Sequence, residues 1–336
     1  MNTQNIGEYV RQNAEQDFNP PGWLKNGHIQ STLASLGLRK RYVEHCAQDL
    51  MTAGGEAVLL LPEDVKLHAV ISQRPTTAKN DLVILIHGWE GSADSMYLRA
   101  AAGFLFNQGF DVVRLHLRDH GPSHDLNRDL FHSCRLQEVI DAVKAIQQTL
   151  PNRRLFLGGF SLGANFSLRV AAKAENNQIR LHRVFAVCPV LDPEHTMDHL
   201  DNGFFGYNWY FLRKWRRSLR RKQALFPDHY SFGDIDKMSL SELTEHCICR
   251  YSEYPDLRTY LRGYALVGDV LATIKTPTRV LLAADDPIIP AKDVSRLARP
   301  EALDIRVTNH GGHCGYIAGL NQPSYADVEM SKFFTI

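Results

Sequence analysis

The sequence lacks two features that would tie it to a membrane or to a polyanion. No apolar run approaches the roughly 20 residues needed to cross a bilayer. The 38 lysines and arginines offset 37 aspartates and glutamates, so the formal net charge is only +1. This balance gives no general attraction toward nucleic acid or acidic lipid. Residues 1–5 show no charged segment leading into an apolar one, so we expect no signal peptide.

Cysteine is also scarce, and its six positions are scattered along the 336 residues. One pair, Cys247-x-Cys249, has close spacing, but no second pair accompanies it to complete a zinc site. Without an export signal, free thiols in a reducing cytoplasm are the expected state. We therefore predict a cytoplasmic protein with no metal and no cofactor.

What the sequence does contain is a regular alternation of short apolar runs and longer helical patterns. Helices are predicted at about 95–108, 133–149 and 162–174, and a further helical pattern follows each of the last two strands. This order predicts an α/β fold, with a mostly parallel central sheet flanked by helices and a ligand site at the carboxyl ends of the strands. The predicted strands are 56–61, 67–72, 82–86, 111–115, 155–157, 184–187, 279–283 and 304–307.

The alternation stops between residues 195 and 263, a far longer interval than a usual connection. Aromatic and basic residues crowd 204–222, and no buried-strand run occurs there. We predict a helical lid insertion over the carboxyl edge of the sheet, with 1–194 and 264–336 forming one core domain and 1–50 an extension of it. A transient contact with a lipid surface or an anionic ligand is the alternative role of this stretch. A nucleic-acid partner is not expected, because acidic residues follow at 234–256.

The most informative motif is Gly159-Phe160-Ser161-Leu162-Gly163, which lies between an apolar run and a helical pattern. A strand that turns sharply into a helix at G-x-S-x-G is a nucleophile elbow. The turn exposes the Ser161 hydroxyl above the sheet, and the flanking glycines avoid clashes with the strand and helix. The amide of Leu162, at the positive end of the new helix, would face whatever the serine attacks.

A serine hydroxyl needs a base, and the base needs a carboxylate to orient it. In this type of fold the acid and then the histidine follow the serine along the chain. Asp285 and Asp286 follow the seventh predicted strand; we prefer Asp286, because Ile289 and Pro290 complete a D-x-x-apolar-P pattern. His310 and His313 follow the eighth.

We prefer His313 as the base, because it lies beyond a double glycine that allows a sharp loop. His310 and Asp285 remain the alternatives for the base and the acid.

Further site residues are expected at the ends of neighbouring strands. The amide of Trp89, in a glycine-rich loop, is the second predicted oxyanion donor beside Leu162. Gly88, His120 and Phe160 are predicted to contact the substrate. His87, by contrast, is expected to make structural hydrogen bonds.

A separate group of side chains, His116, Asp119, His120 and His124, matches no metal motif with a mechanistic basis. We expect these four residues to structure their loop or to line the pocket.

These motifs together resemble the α/β-hydrolase superfamily, and more narrowly the YheT-like, embryogenesis-associated hydrolase group, which includes lipases of the abhydrolase-domain type. The resemblance implies hydrolysis of a carboxylic or lipid ester by Ser161, His313 and Asp286. The residues that carry it are Phe18-x-Pro20, Leu24-x-x-Gly27-His28-x-Gln30-Ser31-Thr32, His87-Gly88-Trp89-Glu90-Gly91-Ser92, Phe131-His132-Ser133, Ala284-Asp285-Asp286-Pro287 and His310-Gly311-Gly312-His313-x-Gly315-Tyr316.

The sequence therefore predicts a serine hydrolase that cleaves a small-molecule ester or thioester through an acyl-enzyme. The aromatic content of 204–222 favours a lipid-like acyl group. Two alternatives stay open: an acyltransferase that uses the same three residues, and a non-catalytic binding protein with a hydrolase fold. The sequence does not indicate an oligomeric state.

Overall fold

An eight-stranded sheet forms the centre of the protein. The computed structural model describes residues 18–35, 37–74 and 80–336. The strands lie in the order β1-β2-β4-β3-β5-β6-β7-β8. β2 runs antiparallel to β1 and β4, and all the other neighbours are parallel. The strands are β1 Gly54–Leu60, β2 Lys66–Ser72, β3 Asp81–Ile86, β4 Asp111–Leu115, β5 Arg154–Phe160, β6 Leu181–Val187, β7 Thr278–Ala283 and β8 Leu303–Thr308.

The burial of each strand follows from its composition and its place in the sheet. Every residue of β3 and β4 is buried, as expected for apolar strands covered on both faces. β1 lies at the edge and exposes alternate residues. The predicted mostly parallel sheet is confirmed, and each predicted strand falls on an observed one.

Helices cover both faces of this sheet. The predicted helices at 95–108, 133–149 and 162–174 correspond to α4 (Met96–Asn107), α5 (Leu136–Thr149) and α6 (Leu162–Lys173). The prediction of an α-helix after β7 is wrong. Ala291–Arg296 forms only a 3-10 helix, because the segment between Pro290 and Pro300 is short. The helices outside 193–263 are α1 Gly27–Ser35, α2 Lys40–Cys46, α3 Gln48–Thr52, α4 Met96–Asn107, α5 Leu136–Thr149, α6 Leu162–Lys173 and α11 Tyr325–Thr335.

Four helices occupy the long interval between β6 and β7. The longest, α8, is amphipathic: Leu212 and Leu219 are buried, whereas Phe205 and Trp209 are exposed. That this segment acts as a lid stays a prediction. The four helices are α7 Pro193–Asn202, α8 Phe205–Leu225, α9 Leu240–Tyr251 and α10 Leu257–Arg262.

The described part of the N-terminal extension packs against the C-terminal loops. The ring of Phe18 lies 5.7 Å from that of Tyr316, and Leu24 and Leu33 form a small cluster with Ile317. Residues 1–17, on which the expectation about a signal peptide rests, lie outside the described residues. Within the described ranges, no helix has both the length and the apolar character that crossing a membrane requires.

Candidate active site

Ser161 sits in a strained turn between β5 and α6. Its φ is +54°, a left-handed value that a residue with a side chain rarely adopts. A Cβ on Gly159 would lie 2.3 Å from the Gly163 carbonyl oxygen, and one on Gly163 would lie 2.3 Å from the Ile86 carbonyl oxygen. Only glycine fits at these two positions, so the elbow geometry follows directly from the G-x-S-x-G sequence.

Ser161, His313 and Asp286 form one continuous chain of hydrogen bonds. The Ser161 Oγ lies 2.9 Å from His313 Nε2, and His313 Nδ1 lies 2.9 Å from Asp286 Oδ2. Because the carboxylate can only accept, the imidazole proton belongs on Nδ1, and Nε2 is then free to accept from the serine. The structure thus brings together the three residues that the sequence singled out.

Asp286 and His313 are themselves held in place. The second oxygen of Asp286, Oδ1, accepts from the amides of Ile288 and Ile289, at 2.8 and 2.9 Å. The amide of His313 donates to Ser31 Oγ, at 2.7 Å, from helix α1. These contacts fix both side chains before any substrate arrives.

The alternative acid and base lie together in a different place. Asp285 Oδ1 accepts from the Gly312 amide at 2.8 Å, and its Oδ2 lies 3.7 Å from His310 Nδ1. This pair therefore braces the His313 loop, and among the described contacts neither residue bonds to Ser161.

Asp286 and Cys314 together raise the basicity of His313. Burial, the largest single influence, lowers the pKa of this imidazole, but the charge and hydrogen bond of Asp286, joined by those of Cys314, hold the pKa well above its ordinary value. A raised pKa strengthens His313 as a proton acceptor. It also means that the neutral form is lost at a higher pH than for an isolated histidine.

Two amides at the site have no protein partner. Within the described part of the chain, neither the Trp89 nor the Leu162 amide donates a hydrogen bond to another protein group. The neighbouring Gly88 lies against the serine, since a Cβ on it would be 3.1 Å from Ser161 Cβ. Its own amide donates to the Tyr97 hydroxyl at 2.9 Å, which leaves Trp89 as the donor available in this loop.

Three buried histidines connect the loop that carries Trp89 with the loop after β4. The Nε2 atoms of His87, His120 and His116 accept from the amides of Leu117, Glu90 and Ala93, at 3.2, 3.0 and 2.9 Å. Burial lowers the pKa of His116 and of His120 to about 3, so both imidazoles are neutral and can accept. These hydrogen bonds fix the two loops relative to each other.

Two cavities meet at Ser161. The larger, of about 330 Å³, contains His313 and opens between α1 and the start of α8. The smaller, of about 80 Å³, lies on the Leu162 side and is lined mainly by apolar residues of α7 to α10. Four residues line both: Trp89, Ser161, Phe211 and Ile288.

The substrate contacts expected from the sequence are only partly placed at these cavities. Gly88 lines the larger one. His120 and Phe160 line neither: His120 is buried under the loop, and Phe160 packs against Tyr97 with ring centroids 5.1 Å apart. His120 lies in the loop after β4 and Phe160 is the last residue of β5, but both side chains are buried, which the sequence pattern does not reveal.

Several residues that line the larger cavity were not predicted from the sequence as site residues. They are Ser31 on α1, Tyr97 on α4, and Tyr207, Tyr210 and Lys214 on α8. The motif around residues 24–32 was the available signal for Ser31. The α8 residues had none, because the face of a helix that meets a distant loop depends on tertiary packing.

Two groups of side chains in the described ranges have the spacing of a metal site. In one, the guanidinium of Arg296 already hydrogen-bonds both Asp192 and Asp293, so a cation is present without a metal. In the other, Cys188 and Cys314 accompany His313, whose two nitrogens are engaged by Ser161 and Asp286. Neither arrangement offers a free ligand set, and the Cys247–Cys249 pair is in neither group.

Comparison with known proteins identifies chains that are similar in sequence and in fold. A family model described as the alpha/beta hydrolase fold matches residues 81–226. YheT of Escherichia coli (strain K12) is 26% identical over 90% of this chain and 88% of its own length. Monoacylglycerol lipase ABHD2 of Bos taurus is 25% identical over 90% of this chain and 75% of its own length. The Pyrococcus furiosus esterase Pf2001 shares the fold, with a TM-score of 0.57, 16% identity, and coverage of 86% of this chain and 94% of that one.

The protein has the α/β-hydrolase fold, as its sheet and these matches together show. Its similarity to YheT and to monoacylglycerol lipase ABHD2 extends over 90% of the chain and supports a carboxylic ester hydrolase that resembles the YheT-like group. The resemblance that the sequence motifs indicated is confirmed.

Proposed function

We propose that the protein hydrolyses a carboxylic ester through Ser161, with His313 as the base and Asp286 as the residue that orients it. The observation that carries the proposal is the hydrogen-bonded chain from serine to carboxylate, with 2.9 Å at each step. A chain of this kind makes a serine hydroxyl nucleophilic at neutral pH.

The reaction runs in two halves. His313 Nε2 takes the Ser161 proton as Oγ attacks the acyl carbon, and the amides of Trp89 and Leu162 stabilise the oxyanion that forms. The imidazolium then gives its proton to the departing alcohol, which leaves an acyl-enzyme. Water, deprotonated by the same nitrogen, releases the carboxylic acid and restores the serine. A thioester can follow the same route, with a thiol leaving.

The two cavities divide the substrate between them. His313 lines the larger cavity and is absent from the smaller, and it must reach the leaving oxygen in order to protonate it. The alcohol part therefore belongs in the larger cavity. The acyl part belongs in the smaller one, where residues such as Val190, Leu200 and Ile248 surround it. An apolar acyl chain suits this lining.

The outer rim of the larger cavity favours a lipid-like substrate. Phe204 and Trp209 line the cavity, and their side chains are also 53% and 58% exposed. Phe205 beside them is 78% exposed, and the guanidinium of Arg213 lies over the Trp209 ring. Aromatic and basic side chains at one edge suit a brief contact with a lipid surface during substrate entry.

The state of the cysteines supports a reducing compartment. All six are free, with Cys188, Cys247 and Cys314 buried. We therefore propose the cytoplasm as the location.

A panel of acyl esters tests the proposed activity. Acyl chains of increasing length are combined with glycerol and simple aliphatic alcohols, and release of the acid is measured for wild type and for Ser161→Ala. We expect hydrolysis that depends on chain length and that Ser161→Ala abolishes. Full activity in Ser161→Ala would contradict the proposal.

A further inference from the structure

Lys214 is the feature of the larger cavity that ester hydrolysis leaves unexplained. It lies on α8, in a lining that also includes Gly88, Trp89 and Ser161. No aspartate or glutamate lines either cavity within the described residues. The cavity that takes the alcohol part of the substrate therefore has a lysine in its wall and no acidic counterpart.

In the described part of the chain, the Lys214 ammonium makes its hydrogen bond to an uncharged side chain. Its Nζ donates to the Tyr210 hydroxyl at 3.2 Å and lies 5.1 Å from the centre of that ring. Among the ion pairs of the described residues, none includes Lys214. A cation that is partly removed from water without a carboxylate keeps unused capacity to bind an anion.

A second lysine of α8, Lys222, has an ammonium whose hydrogen-bond partners are all supplied by the protein. Lys222 lies two turns further along and is completely buried. Its Nζ contacts Asp119 Oδ1 at 2.6 Å and donates to the carbonyl oxygens of His124 and Asn127, at 3.2 and 2.6 Å. Lys222 is satisfied within the fold, and Lys214 is not.

Glu90, in the loop that carries Trp89, is an acidic residue whose charge Lys214 affects. It does not pair with Lys214 at ion-pair distance, and burial raises the pKa of Glu90 to about 8 despite the influence of the ammonium. At neutral pH this carboxyl is mainly protonated and leaves the lysine charge uncompensated.

We propose that Lys214 recognises an anionic group on the alcohol part of the substrate, so that the preferred ester carries a carboxylate or phosphate on its leaving group. This inference rests on the proposed ester hydrolysis and on the assignment of the alcohol part to the larger cavity. The ammonium supplies the charge, and the Tyr210 hydroxyl beside it supplies a second polar contact. The preference therefore concerns binding and leaves the chemistry at Ser161 unchanged.

Matched pairs of butanoyl esters test the inference at pH 7. One pair has 4-hydroxybenzoate and its neutral methyl ester as leaving groups, and the other has glycerol 3-phosphate and glycerol. The two pairs distinguish a carboxylate from a phosphate as the recognised anion. KM and kcat are measured for wild type, Lys214→Gln and Lys214→Arg. Arg217→Gln, an exposed position on the same helix that lines neither cavity, controls for general attraction of anions.

We expect Lys214→Gln to lower kcat/KM for the anionic ester of at least one pair by about 10- to 100-fold, mainly through KM, as for loss of a hydrogen bond to a charged group. Its effect on both neutral esters should stay within about twofold, Lys214→Arg should restore most of the preference, and Arg217→Gln should change little. Equal losses on anionic and neutral esters would overturn the inference, as would no loss on either or an equal loss in Arg217→Gln.

These outcomes are separate from those of the proposed function. Wild-type hydrolysis of the neutral esters without any charge preference would refute the inference alone. Absence of hydrolysis for every ester would refute the proposed function itself.

Discussion

At the scale of single residues, the site depends on Asp286 more than on the identical side chain before it. Asp286 contacts His313 and is anchored by two amides, whereas Asp285 braces the loop at Gly312. Sequence pattern alone favoured Asp286 through the proline four residues later. The pattern could not show that Asp286 contacts His313 while Asp285 contacts Gly312, because these contacts depend on how two loops pack against each other.

Asp286→Asn should lower kcat about 10⁴-fold, because an amide favours the wrong imidazole tautomer and removes the charge that supports the imidazolium. The carboxylate contributes to raising the pKa of His313, and in the proposed mechanism the neutral imidazole is the active form. In wild type, kcat/KM should therefore fall as pH decreases through a value above the ordinary histidine pKa. In the variant this acid limb should move to lower pH.

Asp285→Asn is the matched control for this comparison. An asparagine oxygen can still accept from the Gly312 amide, so activity should stay near that of wild type. Equal losses in the two variants, or an acid limb that does not move in Asp286→Asn, would contradict the assignment.

At the scale of elements, the sequence predicts the sheet well and the helices around the site less well. β3 is recognisable because burial on both faces demands a continuous apolar run. The contribution of α1 to the site was not predicted, since its Ser31 reaches His313 from 282 positions away along the chain. The α8 residues were missed for the same reason: only packing decides which face of an amphipathic helix closes a cavity.

The elbow itself makes a prediction about stability. Gly163→Ala should reduce the free energy of unfolding by about 1–3 kcal/mol or more, since the new methyl group would lie 2.3 Å from one backbone oxygen and 2.4 Å from another. Urea unfolding followed by fluorescence measures the loss.

Gly55→Ala serves as the control, because a Cβ there would lie 4.0 Å from the Ile71 carbonyl oxygen, its nearest neighbour outside the adjoining residues. If both alanine variants unfold at the same urea concentration, the close packing of the elbow is not what requires glycine.

At the scale of the whole molecule, the helices of 193–263 are tied to the core by a buried ion pair beneath the site. Lys222 on α8 meets Asp119 in the loop after β4, and the other oxygen of Asp119 accepts from the Phe131 amide at 2.8 Å. Burial raises the pKa of Asp119 and lowers that of Lys222, whereas their mutual attraction favours both charged forms. Each partner thus offsets part of the cost of burying the other's charge.

Lys222→Met should lower the free energy of unfolding by about 3–5 kcal/mol, because it leaves the Asp119 carboxylate buried without its partner. Hydrogen exchange should also become faster along α8. Arg220 lies on the same helix, and Arg220→Met, which breaks its exposed ion pair with Asp236, should cost less than about 1 kcal/mol. Comparable losses in the two variants would show that the buried pair does not hold α8 to the core.

The central claim is that Ser161 is a nucleophile activated by His313, and covalent labelling with a fluorophosphonate tests it most directly. Mass spectrometry of the intact protein and of its peptides should find one adduct, on Ser161, in wild type. The adduct should be absent from Ser161→Ala and should form much more slowly in His313→Ala. Folded wild-type protein that stays unlabelled, or that carries the adduct on another residue, would contradict the account.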